Sequence, residues 1–483
     1  MTTAAKAFGK SGKGEWMHGL KRRALSLGAV KAFDHALQFL LPVVLVRCLD
    51  AATFGEYRLL WLVIGTLMSV VTLNMCGSLY LFVPRAEPHR KRVYINNTLL
   101  YLAAVGVLCA LALSPLNPVL PKPLEPLGQY GWLVPGFMLL WAAAYLLDFL
   151  PTIEERIGWQ ARATLGIALL RAVVVGAGAW LSGDLTLIIW LLIAVVAVKL
   201  GLLLHYVYRH HGLRGPWFEG AAFREHFGQA APFGLSGMLF NLRAQADQWV
   251  AATLFAISSF AAFSVASIVG QVVHIFRHAV VEAFLPTMSR MEAAGDIRGV
   301  IELNSRANVM VGLALFPFLA AAFVFAEDIV TIVYTSAYAE AAPVMRVYIA
   351  GKAAMVIEIG SRVLLLRQGP YALRVTGAAL GVAVLASFAG AHLFGLPGAA
   401  AGSVVGVYMD RTLMLRRVAR LTGTPLGRLQ DWRGLAWTAA SALIAAALAW
   451  KLTPHGSHFV RLVEGSAILG AVYVLMNWRR ILK

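Results

Sequence analysis

Residues 185–208 read LTLIIWLLIAVVAVKLGLLLHYVY, twenty-four positions with Lys199 as their one formal charge. Coiled as a helix at 1.5 Å per residue, the run is about 36 Å long, against a hydrocarbon core of about 30 Å. It predicts a membrane-spanning helix. Windows of the same kind, bounded by charge or by Pro/Gly clusters, predict fourteen spans in all. They lie near 24–46, 57–83, 94–113, 131–150, 163–182, 185–208, 230–254, 258–285, 307–326, 343–366, 375–393, 397–415, 434–450 and 462–477. The composition agrees: of 483 residues, 59% are hydrophobic and 14% charged, and the mean hydropathy is +0.71. Soluble domains are nearer half apolar and a quarter charged. A soluble globule, a disordered chain, a coiled coil and a disulfide framework are all excluded. The three cysteines, Cys48, Cys76 and Cys109, lack CxxC spacing and read as small buried hydrophobes. No cleavable signal peptide is expected, because residues 1–23 are polar and basic and the next apolar run contains Lys31, Asp34 and His35.

The net charge of +18 could suggest nucleic acid as a partner. Its distribution says otherwise. With the N-terminus in the cytoplasm and one crossing per span, 28 of the 42 lysines and arginines fall in cytoplasmic segments. Five, Arg47, Arg58, Lys122, Lys451 and Arg461, fall on the opposite side. The positive-inside rule demands such a bias, so both termini are predicted to be cytoplasmic. No loop exceeds about twenty residues, and no GxxxxGKS/T phosphate loop is present. ATP-driven transport by this chain alone is therefore not expected, nor is an enzyme with an extramembrane catalytic domain. The chemistry is expected among the helices.

The second half repeats the first. Thr53-Phe54-Gly55-Glu56-Tyr57 opens span 2, and Ser259-Phe260-Ala261-Ala262-Phe263 opens span 8, each followed by a long helix ending at proline, Pro84 or Pro286. Six spans separate the copies, so both have the same orientation. That is a parallel repeat about an axis along the membrane normal, with the ligand expected where the repeats meet. The predicted fold is an all-α polytopic membrane protein. It comprises a basic N-terminal segment (1–23), an N-lobe of six helices (24–208) and a cytoplasmic linker (209–229). A C-lobe of six helices (230–415), a cytoplasmic loop (416–433) and two further helices with a basic C-terminus (434–483) complete it. The segment Lys6–Arg23 reads either as an amphipathic surface anchor or as a disordered tail. Pro42 and Pro317 would kink spans 1 and 9.

Nine cations fall within the spans: Lys31, Arg171, Lys199, Arg243, Arg277, Arg346, Lys352, Arg362 and Arg411. Six acids do too: Asp34, Asp148, Asp247, Glu282, Glu358 and Asp410. Each would cost about 3 kcal/mol facing lipid near a helix centre, far beyond a protein's net stability of about 5–15 kcal/mol when summed. Most must face each other or water. Arg411, Asp410 and Asp148 lie near span ends and can snorkel. Lys31, Asp34, His35 and Gln38 form one helical stripe. Arg243 and Asp247, and likewise Glu358 and Arg362, are spaced i, i+4, so each is either a buried ion pair or part of a ligand site. Asn74 and Asn241 would add neutral donors. His274, His278 and Glu282 share a face; they read as polar cavity residues rather than as a metal site, and no metal or cofactor is expected. Even with every acid matched, three cations remain over. A surplus-positive cavity predicts an anionic substrate bearing phosphate or acidic sugar, which the guanidinium fork suits. The substrate-binding candidates are thus Lys31, Arg171, Lys199, Arg243, Arg277, Arg346, Lys352, Arg362, Asn74, Asn241, His274 and His278.

At several points the chain resembles the bacterial polysaccharide-transport flippases of the multidrug/oligosaccharidyl-lipid/polysaccharide exporter superfamily. The resemblance lies in Arg47-Cys48-Leu49-Asp50-Ala51-Ala52-Thr53-Phe54-Gly55-Glu56-Tyr57, in Ala231-Pro232-Phe233-Gly234-Leu235-Ser236-Gly237 leading to Asp247-Gln248, and in Leu285-Pro286-Thr287-Met288-Ser289-Arg290 followed by Gly295-Asp296. Tyr338-Ala339-Glu340-Ala341-Ala342-Pro343-Val344 and Gly395-Leu396-Pro397-Gly398-Ala399-Ala400 continue it, so the matches run in order over 24–420. The chain departs from the family pattern at Asp50 and Phe54, at Ala261 and Phe263, and near Thr335, where a glycine is expected. The resemblance implies two six-helix lobes around a V-shaped cavity that rock between inward and outward openings. It implies an undecaprenyl-diphosphate-linked oligosaccharide as cargo, moved from the cytoplasmic to the periplasmic leaflet of the inner membrane for O-antigen, capsule or exopolysaccharide synthesis. It also implies coupling to an ion gradient, for which Asp34, Asp247 and Glu358 are the candidate acids. A polymerase or copolymerase of the same pathway is a candidate partner; nucleic acid is not, and a monomer is expected. The rival readings are an ion-coupled drug/cation antiporter of the same superfamily, which would want acids to dominate, a lipid II flippase, and a membrane-embedded glycan polymerase or ligase.

Overall fold

The computed structural model describes residues 10–212, 216–267, 270, 273, 284–357, 369–453 and 456–481; of 10–27, 31 and 481 it describes the backbone alone. Among the described residues every regular element is helical, with no strand. The chain is a multi-pass membrane protein. Its main helices are α1 (Lys10–Cys48), α2 (Ala51–Val71), α3 (Met75–Phe82), α4 (Pro88–Leu113), α5 (Leu133–Ala144), α6 (Ile157–Ser182), α7 (Leu185–His211) and α8 (Gly220–Leu254). There follow α9 (Ile257–Ala266), α10 (Ile297–Val324), α11 (Ala326–Tyr334), α12 (Ala341–Ala353), α13 (Gly369–Thr422), α14 (Trp432–Leu452) and α15 (His458–Ile481). Every one of the fourteen expected spans has a helix. Among the described residues, ten helical segments are long and apolar enough to cross a membrane, and α13 holds two expected spans either side of Gly395. Spans 8 and 10 begin as α9 and α12 and continue outside the described residues.

The chain divides into two compact units. The first is Met1–Thr53 with Val63–Met238, the second Phe54–Leu62 with Leu239–Lys483. The division falls inside α8, and nine residues of α2 count with the second unit. In the first unit α1 packs on α6, α4 on α5, and α7 on both α5 and α6. Its core gathers Leu79, Ile95, Leu102, Leu146, Leu150, Leu203 and Tyr206. In the second, α10 and α15 pack on α14, and α12 on α13, with Phe325, Ala445, Ala449 and Leu469 among the buried contacts. Small residues let these backbones approach closely, the usual device where lipid supplies no hydrophobic drive between helices.

Helix ends follow local chemistry. Asp50, the departure from the family's first-loop pattern, is the N-cap of α2: its carboxylate accepts from Ala52 N–H (2.8 Å) and Thr53 N–H (2.9 Å). Those bonds hold it below the usual carboxylate range, the Thr53 N–H contributing most. Gly183, at φ +61°, ends α6, and Asp184 then caps α7 through Thr186 N–H. Gly395 (φ +64°, ψ −143°) folds α13 back on itself, so that Gly390 and Gly398 meet backbone to backbone. Within the second unit, the duplicated motifs of the two halves pack on one another. A Cβ on Gly55 would lie 2.2 Å from the Ile257 carbonyl oxygen, Arg58 Nε donates to Ser264 Oγ at 3.1 Å, and Phe54 meets Tyr338 edge-on at 5.8 Å.

The structure corrects one expectation. Span 2 is not a single helix over 57–83. It breaks at Leu73 (φ +39°) and Asn74 (φ +59°), both in the left-handed region that costs non-glycine residues energy. Neither proline nor glycine marks the break. Tertiary contacts hold it: Tyr101 O–H donates to the freed Val71 carbonyl at 2.6 Å, and the backbone of Gly234 lies so close that a Cβ there would sit 2.3 Å from the Leu73 carbonyl carbon.

Candidate functional site

In the first unit, the charged residues expected inside the membrane form ion pairs between helices. Asp34 on α1 accepts from Arg171 on α6 at 3.2 Å, and its second oxygen accepts from Gln38 Nε2 at 2.8 Å. Lys199 on α7 is buried and donates to Asp148 at 2.7 Å, with its ammonium 5.2 Å above the Trp141 ring. Asp148, expected to snorkel, is exposed and also neutralises Lys199. Asn74 stands at the helix break and its side chain lies against Gly77.

In the second unit the i, i+4 spacing of Arg243 and Asp247 does not become an ion pair. Asp247, 1% exposed, accepts from Tyr348 O–H on α12 at 2.7 Å and from Gln248 N–H at 2.9 Å, with Ser403 and Lys352 beside it. Arg243 turns instead toward Asp410 and Arg411 of α13, and its guanidinium stands 5.4 Å from the Phe240 ring. Asp410 already carries Arg411, at 3.4 Å. Arg243 is 5% exposed, and its Nε has no hydrogen-bond partner among the described residues. Two guanidinium groups thus share one carboxylate in a buried setting, which leaves a net positive charge and an open donor. A guanidinium so placed is built to receive an anionic oxygen. Asp410 and Arg411, assigned to snorkelling by their position near a span end, belong to this cluster.

Arg346 is tied to Glu327 at 3.0 Å and donates from Nε to the Phe323 carbonyl, while Asn241 is exposed. Lys31's side chain, Arg277, Arg362, His274, His278, Glu282 and Glu358 lie outside the described residues. Among the described residues, no group of three or more His, Cys, Asp or Glu side chains is placed to hold a metal ion.

The sequence reading missed two polar clusters beyond the ends of the spans. Glu154 accepts from Tyr206 O–H, and its other oxygen lies 2.7 Å from His211 Nε2. Burial works to raise the Glu154 carboxyl, but His211 and Tyr206 outweigh it and hold it below its usual range. His226, fully buried, shares a proton with Ser78 Oγ at 2.6 Å between the rings of Phe82 and Tyr94, and burial pushes its pKa down to about 4. The only trace of either in the sequence is a polar residue next to an aromatic near a span end.

Residues 159–343 match the family model of polysaccharide biosynthesis proteins. No curated protein matches the chain by sequence. The fold is similar to that of lipid II flippase MurJ in an inward closed conformation, at TM-score 0.71 and 12% identity over 95% of this chain and 99% of that one. It is also similar to an inward-facing multidrug resistance MATE family transporter of the MOP superfamily, at TM-score 0.61 and 12% identity over 80% and 95%. A third likeness is to a MOP superfamily transporter from Pyrococcus furiosus, described as having a binding pocket of reverse polarity, at TM-score 0.56 and 13% identity over 83% and 96%. The resemblance carried by the loop motifs is thereby borne out: the middle of the chain matches a polysaccharide biosynthesis family, and the fold is that of the MOP exporters.

Proposed function

We propose that this protein is a flippase for lipid-linked oligosaccharides. It carries undecaprenyl-diphosphate-linked repeat units from the cytoplasmic to the periplasmic leaflet of a bacterial inner membrane by alternating access, in the synthesis of a surface polysaccharide. One observation carries the substrate class: among the described cations within the spans, Arg171, Lys199 and Arg346 each sit on a carboxylate and Lys352 stands by Asp247, whereas Arg243 and Arg411 share the single carboxylate of Asp410, and Arg243 is buried with an open Nε. A diphosphate or an acidic sugar satisfies that donor and repays its desolvation. The same surplus argues against a drug/cation antiporter. The match of residues 159–343 to polysaccharide biosynthesis proteins supports a glycan as the cargo, and the cation bias of the loops supports cytoplasmic termini.

Of the two described candidate acids, Asp34 and Asp247, Asp247 is the better placed for coupling to an ion gradient. Asp34 is held by Arg171 in an ion pair, whereas Asp247 accepts hydrogen bonds from the neutral Tyr348 hydroxyl and a backbone N–H, with Ser403 and the Lys352 charge beside it. The test is flipping of a fluorescent undecaprenyl-diphosphate oligosaccharide in proteoliposomes, with variants matched for reconstituted amount. Arg243→Ala should lower the rate at least about tenfold, as expected for a lost charge-assisted contact, and Arg243→Lys should restore part of it. Asp247→Asn should remove the response to an imposed proton or sodium gradient. A wild-type rate in Arg243→Ala would refute the substrate assignment.

A further inference from the structure

A second polar site lies within the first unit, at the turn between α3 and α4 and the start of α8. A cavity of about 620 Å³ opens there, lined by Arg85, Glu87, Arg90, Tyr94, Glu225 and Gln229, with Phe82 on its apolar side. That volume is typical of small-molecule sites. The lining is chemically mixed in a specific way. Arg85 and Arg90 flank the first turn of α4, which starts at Pro88 and whose N-cap Glu87 makes no side-chain capping bond, so no side-chain cap competes with a ligand for the N–H groups of that turn. Tyr94 O–H donates to one oxygen of Glu225 at 3.0 Å, fixing that carboxylate. The Phe82 and Tyr94 rings lie 4.9 Å apart, tilted by 44°. Paired arginines at a helix start suit phosphate. A fixed carboxylate, an amide and aromatic faces suit the hydroxyls and the apolar face of a sugar ring. Two acids would repel a bare anion and two arginines a bare cation, so neither alone accounts for the lining. Leu81 and Tyr80, on the preceding turn, are exposed apolar side chains, as expected of a site next to lipid.

We propose that this cavity binds a glycosyl phosphate, Arg85 and Arg90 taking the phosphate and Glu225 with Gln229 the sugar hydroxyls, and that it engages the head of the lipid-linked substrate before translocation. The inference rests on the flippase reading for the source of its ligand but not for its chemistry. The full-length protein in phosphatidylcholine/phosphatidylglycerol nanodiscs would be titrated with three probes: farnesyl-diphosphate-linked N-acetylglucosamine, farnesyl diphosphate without sugar, and soluble N-acetylglucosamine 1-phosphate. Arg85→Gln/Arg90→Gln, which leaves Lys91 and Arg92 to orient the loop, should weaken the lipid-linked sugar at least about tenfold. Glu225→Gln should weaken both sugar-bearing probes and leave farnesyl diphosphate unchanged. Tighter binding of the lipid-linked probe than of the soluble one supports a membrane source; equal binding keeps the site but assigns it to a free sugar phosphate. Wild-type affinity in the double variant, with affinity lost in Arg243→Ala, would overturn this site and leave the flippase reading standing. Failure of the wild-type protein to bind any of the three probes would overturn both.

Discussion

Thr335 closes α11 at φ +81°, ψ 163°. That region of backbone space is all but reserved for glycine, and a β-branched side chain suffers most there. The flippase pattern that the chain resembles has a glycine near this position. Thr335→Gly should therefore stabilise the protein. Relief of the strained conformation is worth about 1–3 kcal/mol, while glycine's greater freedom in the unfolded chain costs about 0.5–1 kcal/mol. The difference is a gain of up to about 2.5 kcal/mol, centred at about 1 kcal/mol. Little else is at stake, because the Thr335 hydroxyl makes no hydrogen bond among the described residues. The backbone bonds that bracket the turn, Thr335 N–H to Thr331 O at 3.1 Å and Tyr338 N–H to Thr335 O at 3.3 Å, survive the change. Thr335→Ala is the control: it keeps the Cβ at positive φ, loses only the β-branch, and should recover little of the gain. Thermal unfolding in one detergent, followed by intrinsic fluorescence, would show Thr335→Gly melting a few degrees higher. Thr335→Gly melting at or below the wild type, with Thr335→Ala unchanged, would refute the strain argument.

A second contrast uses two glycines three residues apart on α8. A Cβ at Gly234 collides with the Leu73 backbone, whereas one at Gly237 meets nothing within 4 Å. Gly234→Ala should thus destabilise by about 1–3 kcal/mol through overpacking, and Gly237→Ala should gain about 0.5–1 kcal/mol of helix propensity. Equal melting of the two would remove Gly234's role in holding the break at Leu73–Asn74. Glu154 makes a pH prediction. Its carboxyl is held below the usual range, so its contribution is complete above the unfolded value of about 4.3 and is lost as pH falls through the folded one. Glu154→Gln should be less stable at pH 7 and show a flatter loss of stability between about pH 5 and pH 3. An unchanged acid limb would mean that His211 and Tyr206 do not hold the carboxylate.

What the sequence showed and what it hid divide along a physical line. A span is the sum of some twenty transfer energies, so no single residue can conceal it, and every expected span has a helix. The break in span 2 was invisible because its cause is not local: Leu73 and Asn74 are held by Tyr101 and Gly234, residues far along the chain. The glycines that join the arms of α13 were legible in principle, since Gly398, Gly402 and Gly406 repeat at helical spacing. Charges follow the same division. Spacing along one helix suggests partners at i, i+4, but Asp34 found Arg171 at a separation of 137 residues and Lys199 found Asp148 at 51. Pairing depends on which helices face each other, and helical periodicity does not contain that. The sign of the surplus is different. Each pairing removes one charge of each kind, so the excess of cations over acids within the spans is the same whatever the pairing. Sequence can therefore state that the membrane interior of this protein is positive. Only packing decides which cations carry the excess; among the described residues Arg243 is one that is buried with an open Nε.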